Sequence, residues 1–270
     1  MGLILCENNA VKTPYYIGSL GIHVHSIEEI CYVIVNHPLV ALDDFVNETF
    51  VEFVKEQARP GMAGLQFARR YEDGMTDSEL LVAILSLSGY YTVSEIDKFK
   101  GRLADIKQTP KYKILKDKGD QLFYMGKYGQ AINTYKNAIT EASYQKVPHD
   151  FYAGTYRNIG VAYTNLFDFD NAFEAFKTSY EYRKDEDLLK YIYFIAKEQP
   201  VLEKNEQYLS YIGDRVRPEW TEIYKKAKSQ SMLSESVNEF AQHLATDSVK
   251  KNKYLAYTIN TWKQDYRKKL

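Results

Sequence analysis

The chain has 270 residues, 45 % hydrophobic and 26 % charged, which is enough for one large or two medium domains with a substantial core. A formal net charge of −1 argues against a protein that coats nucleic acid, and no apolar run approaches the ~20 residues of a membrane span. Two cysteines, Cys6 and Cys31, without a CxxC motif exclude a disulfide framework and suit a reducing, cytoplasmic location.

The near-zero total hides an asymmetry. Residues 1–108 carry 9 Lys+Arg against 15 Asp+Glu, whereas residues 109–270 carry 26 against 21, so either the two halves attract each other or the basic half meets an acidic partner. Tyrosine is abundant, 24 against 13 Phe. A tyrosine ring packs but its hydroxyl needs a partner, so these residues are expected at half-buried seams and binding surfaces. Gly2 to Cys6 has no basic start of a secretory signal, and Cys6 stands where a myristoylation pattern needs Ser or Thr.

In chain order, Leu3 to Cys6 is a short apolar run. Tyr15 to Ile17 and Ile22 to His25 read as short extended pieces around Gly18 and Gly21, a minor β element within residues 3–25. Ser26-x-x-Glu29 is a capping box that opens a helix stopped before Pro38. Asp43 or Asp44 is expected to cap a second helix through Phe45, Val46, Phe50 and Val54. A third helix is expected near Met62 to Arg70, followed by a turn at Glu72-Asp73-Gly74. Thr76-x-x-Glu79 and Thr92-x-x-Glu95 are further capping boxes, opening helices over Leu80 to Leu87 and Ile96 to Ile106.

From Lys113 to Tyr180 one pattern occurs twice. Leu115, Lys118-Gly119 and Leu122 are followed by Ala131, Tyr135 and Ala138. Tyr156, Ile159-Gly160 and Tyr163 are followed by Ala172, Phe176 and Ser179, at identical internal spacings. Each copy predicts a helical hairpin in which a glycine and an alanine let the two helices approach closely, while Tyr135 or Phe176 fills the space behind them. Gly126 breaks the first hairpin and Phe167 to Asp170 the second, with Asp170 as the expected cap. The glycines are 41 residues apart, with the excess over a 34-residue period in residues 144–150.

Downstream, Asp185 is expected to cap a helix through Leu188, Ile192 and Ala196 that ends at Gln199-Pro200. Residues 202–216 are expected to form its partner, a degenerate third repeat. Pro218 starts a long helix through Trp220, Ile223, Tyr224, Ala227, Met232, Leu233, Val237, Phe240 and Leu244, and Asp247 caps a last helix over residues 249–268. The expected architecture is mostly α: an N-terminal helical domain over 1–108, repeats over 109–216, and a C-terminal pair of long helices over 217–270.

No P-loop, Rossmann fingerprint, GxSxG or HExxH is present. His23 and His25 would share one face of a strand, a two-ligand start of a metal site with only Glu28, Glu29 and Cys31 nearby in sequence as a third ligand. Two histidines at a strand edge is the preferred reading. No catalytic residue, metal or cofactor is expected. The two helices over residues 80–107, joined by Gly89-Tyr90-Tyr91, have helix-turn-helix form, with Lys98, Lys100, Arg102 and Lys107 on or near the second helix. The last helix carries Lys250, Lys251, Lys253, Lys263, Arg267, Lys268 and Lys269 against Asp265, a solvated face or a surface for RNA or an acidic protein.

The duplicated pattern, over about 112–145 and 153–186, resembles the tetratricopeptide repeat, a two-helix unit that stacks into a solenoid. The resemblance implies non-catalytic binding of a protein or peptide by a scaffold, in a groove lined by the first helix of each hairpin. It places Lys113, Lys116, Asp120, Phe123 and Tyr124 in the groove from the first copy, and Arg157, Asn158, Val161, Thr164 and Asn165 from the second. Lys116 and Asn158 fit the clamp that some members use for a peptide carboxylate, but Asp120 stands where that clamp needs Asn and would repel the ligand. Lys116 and Asp120 are instead expected to pair at i,i+4, worth ~0.3–0.5 kcal/mol. The alternative function is a ligand-sensing transcription regulator, similar to peptide-sensing bacterial regulators, with its helix-turn-helix near 80–107.

Overall fold

The computed structural model describes residues 11–18, 20–42, 45–231, 238–242 and 249–270. The chain is mostly helical and separates into two compact units, Met1–Gln121 and Leu122–Leu270. Among the described residues no helix is long and apolar enough to cross a membrane. The run Leu3 to Cys6, the pair Asp43-Asp44, and Met232, Leu233, Val237, Leu244 and Asp247 lie outside the described residues.

The first unit begins with an antiparallel hairpin of β1 (Tyr15–Ile17) and β2 (Ile22–Val24), Tyr15 opposite Val24 and Ile17 opposite Ile22. Alternation buries Ile17 and Val24, while Tyr16 and His23 meet on the outer face with ring centroids 4.9 Å apart. Helices α1 (Ile27–Asn36), α2 (Pro38–Ala41) and α3 (Glu48–Phe53) follow, α3 running on into a π-helical stretch over Val54–Ala58. Next come α4 (Met62–Glu72), α5 (Asp77–Ser88), α6 (Val93–Gln108) and α7 (Lys111–Tyr124), the last crossing the division between the units. Helix α5 packs against α1, α4 and α6 and is the centre of the unit, with Leu80, Leu81, Ile84 and Leu85 buried.

Local details correct the sequence reading. Ser26 caps α1 by accepting from the Glu29 N–H at 3.2 Å, but the Glu29 carboxylate returns to the His25 N–H at 2.6 Å, one residue beyond the reciprocal position. Pro38 stops α1 and then starts α2, because a proline fits the first turn of a helix. The cap of α3 is Asn47, whose side chain accepts from the Phe50 N–H at 3.0 Å. Phe45 and Val46 therefore precede the helix and are buried as loop residues, Phe45 against the Phe50 ring.

Both threonine capping boxes form as expected, and each glutamate accepts from the backbone and hydroxyl of its threonine at 2.8 Å. These bonds hold the carboxyls of Glu79 and Glu95 below the ordinary carboxylate range. A depressed carboxylate contributes stability above its unfolded pKa and loses that contribution as pH falls through the folded value. The thermal midpoint of the chain is therefore expected to drop on acidification below about pH 4.5. Replacing both residues by Gln should flatten that acid limb relative to the wild type, and an unchanged limb would show that the boxes add nothing to its pH dependence.

The second unit holds the end of α7, then α8 (Tyr128–Ser143), α9 (His149–Asn165), α10 (Phe169–Tyr182), α11 (Glu186–Glu198), α12 (Pro200–Glu203), α13 (Glu206–Ile212), α14 (Pro218–Ser231) and a last helix, Val249–Lys269. Gly126, at φ 74°, turns the chain between α7 and α8, where the Lys127 N–H closes onto the Leu122 carbonyl at 2.9 Å. Helices α9 and α10 make the closest pair. The Phe176 ring lies over Gly160, and the buried Ser179 hydroxyl donates to the Ala153 carbonyl at 2.7 Å. Ala131, Tyr135, Ile159 and Ala162 form one core cluster, which Leu122 joins from the end of α7. Phe176, Leu188, Ile192, Ile212 and Trp220 belong to the next.

Here too the termini differ from expectation. Asp168, not Asp170, caps α10, accepting from the Asn171 N–H at 3.3 Å, because Phe167 takes the left-handed turn at φ 58° two residues before Phe169. The single helix expected over 202–216 is broken into α12, α13 and a 3₁₀ turn at Gly213–Arg215. Asn205 caps α13 and Gly213 ends it, so neither local signal permits one continuous helix.

Candidate functional site

In the second unit, the face of α9 that carries Val161 and Thr164 opens onto a cavity of about 560 Å³. Helix α10 supplies Phe169 and Phe176, α11 supplies Tyr191, Phe194 and Glu198, and α14 supplies Ile223, Tyr224 and Lys228. Two stacked aromatic pairs form much of the wall: Phe176 with Tyr191 at 5.3 Å and Phe194 with Tyr224 at 6.3 Å between centroids.

One end is polar. The Tyr224 hydroxyl donates to Glu198 Oε1 at 2.7 Å and lies 3.4 Å from the Lys197 carbonyl. The Lys228 ammonium donates to the Tyr224 oxygen at 3.2 Å and sits 5.4 Å from its ring centroid. The Tyr224 oxygen, and then the Glu198 charge, raise the Lys228 pKa above the ordinary lysine value. The Thr164 hydroxyl is turned to the Gly160 carbonyl at 2.9 Å. The site therefore offers flat apolar faces and, at one edge, a carboxylate and an ammonium bridged by a phenol.

Helix α14 is fixed in place by its first turns. Trp220 is only 5 % exposed and packs on Tyr193 at 5.9 Å, while the Tyr193 and Thr221 hydroxyls share a hydrogen bond of 2.9 Å. Arg217 pairs with Glu186 at the same end.

Of the residues placed in a groove by the sequence, Val161 and Thr164 line this cavity. Arg157 is exposed one turn before Val161, and Asn158 is half-buried beside it. Asn165 donates to the Val161 carbonyl at 2.9 Å, tying its amide to its own helix. Phe123 is half-buried against Tyr128 at 5.2 Å, and Tyr124 is 88 % exposed. Lys113, Lys116 and Asp120 belong to the first unit; Lys113 is exposed, and Lys116 pairs with Asp120 at 2.6 Å as the spacing predicts.

The contribution of α11 and α14 was missed. Its signal is a second stripe, Tyr191, Phe194 and Glu198 at i, i+3 and i+7, lying beside the core stripe of Leu188, Ile192 and Ile195.

Other chemistry-bearing residues stand apart from the cavity. β2 ends at Val24, so His25 lies beyond the strand, and both His23 and His25 are exposed. Burial pushes the Cys31 thiol up to about 12, and its sulfur faces the Ile84 carbonyl at 3.9 Å. On α6, Lys98, Lys100, Arg102 and Lys107 are exposed, but Lys100 pairs with Asp97 at 2.9 Å and Arg102 donates to the Val35 carbonyl at 3.0 Å. Comparison with family models, with curated proteins and with solved structures gives no match.

Proposed function

We propose that the second unit is a tetratricopeptide-like scaffold that binds a protein or peptide without catalysis, and that the cavity on α9 receives a large apolar side chain of the partner. The observation that carries this reading is the aromatic wall built by α10, α11 and α14 around Val161 and Thr164. Such faces supply binding energy to any apolar side chain that fits, and aromatic and arginine anchors dominate interfaces of this kind. The ionisable groups at its edge, Glu198, Tyr224 and Lys228, are bonded to one another and suit orientation of a ligand rather than proton transfer. Arg157, exposed one turn from Val161, is available to a partner carboxylate or carbonyl.

Capture of partners from the native cell, read by mass spectrometry, tests the proposal. Val161→Trp should fill the cavity and weaken capture at least about tenfold with the fold retained. Tyr124→Ala with Arg157→Ala, both exposed, should also stay folded and weaken capture. If both folded variants retrieve every partner of the wild type, the groove is not the functional surface.

A further inference from the structure

The last helix presents an exposed basic face. Lys253, Tyr257, Asn260, Gln264 and Arg267 follow one another at helical spacing and are all exposed, with Lys263 at the edge of the same face. The opposite side holds the helix to its own unit. The Tyr266 hydroxyl donates to the Leu166 carbonyl at 3.0 Å, Trp262 packs on Phe240 at 4.9 Å, and Leu270 lies against Gly129. Among the described residues, Lys253, Lys263, Arg267 and Lys269 make no ion pair; the helix's single acid, Asp265, is taken by Lys268 at 3.1 Å. Such a face attracts an anion of extended shape.

We infer that this face binds the backbone of single-stranded nucleic acid. From Lys253 to Arg267 the helix runs about 21 Å, long enough for several phosphates. Tyr257 is 72 % exposed and stands one turn after Lys253. An exposed aromatic in line with cations is the arrangement that stacks an unpaired base while the cations hold the flanking phosphates. The amides of Asn260 and Gln264 on the same face supply hydrogen bonds to base edges. A duplex offers no unpaired base to Tyr257. A lipid surface would instead engage the other side of the helix, where Ile259, Trp262, Tyr266 and Leu270 are 38–52 % exposed, so displacement of the strand by anionic vesicles in a manner that needs Trp262 and not Tyr257 would overturn the inference.

Fluorescence anisotropy of a labelled oligo-uridine strand of about 20 nucleotides, titrated with the full chain at several salt concentrations, tests the inference. Binding is expected to weaken with salt at a logarithmic slope near about −2, as three phosphate contacts require. Lys253→Glu with Lys263→Glu and Arg267→Glu should abolish binding. Tyr257→Ala alone should weaken it about tenfold while leaving the salt slope unchanged. These side chains are exposed, so the circular dichroism melt of every variant should match the wild type. The inference is overturned if the wild type does not bind at low salt, if a duplex of equal length binds as well as the single strand, if Tyr257→Ala is silent, or if a polyglutamate peptide displaces the strand at equal charge.

Discussion

Gly160→Ala is expected to destabilise the protein by about 1–3 kcal/mol, while Gly154→Ala on the same helix stabilises it or leaves it unchanged. Alanine raises helix propensity by about 1 kcal/mol at either position, so the sign is decided by packing. A Cβ on Gly160 would lie 2.6–2.9 Å from three carbons of the Phe176 ring. That ring is 1 % exposed and has Tyr191 stacked on it at 5.3 Å, so it can withdraw only by disturbing the cavity wall. At Gly154 a Cβ meets nothing within 4 Å. Urea midpoints of the two variants would separate the cases, and equal midpoints would remove close α9–α10 packing as a determinant of the fold. Gly160→Ala should also impair partner capture, because any shift of Phe176 narrows the cavity.

Trp220→Ala is expected to cost about 3–5 kcal/mol, the usual range for deleting a buried indole. Trp220 joins α14 to the cluster of Leu188, Ile192, Tyr193 and Ile212, and α14 forms one wall of the cavity through Ile223, Tyr224 and Lys228. The cost should therefore appear twice, as a lower urea midpoint and as lost capture at temperatures where the rest of the unit is folded. Fluorescence offers a direct check. The chain has two tryptophans, of which Trp220 is buried and Trp262 is 45 % exposed. In Trp262→Phe the remaining emission should be blue-shifted and should move to the red as α14 detaches. An emission already at the solvent-exposed position in the native state would place Trp220 outside the core.

Much of the helical order was legible from residues close in sequence, because capping and helical periodicity act within a few positions. Thr76 with Glu79, Thr92 with Glu95, Asp185 and Pro218 each start a helix where the sequence put it. The duplicated spacing likewise foretold that α9 and α10 pack closely at Gly160, where the Phe176 ring meets it, since the two helices of a short hairpin must pack on each other. Local rules failed where two candidate signals compete. Asp168 prevails as a cap over Asp170 because the left-handed turn at Phe167 decides which side chain reaches the free N–H groups.

The cavity itself was decided only by tertiary structure. Val161 and Thr164 were placed in a groove from the repeat pattern, but the residues opposite them come from α11 and α14, some 30 and 60 positions away. No local periodicity states which of the two stripes on α11 turns to the core and which to the cavity, nor that Trp220 brings α14 across. The sequence by itself determined most of the helices, the two threonine capping boxes and the close α9–α10 pair, because those are set by backbone hydrogen bonds and side-chain size within a few turns or one hairpin. Which helix faces meet to enclose a site depends on packing between segments distant along the chain, and only the folded unit decides that.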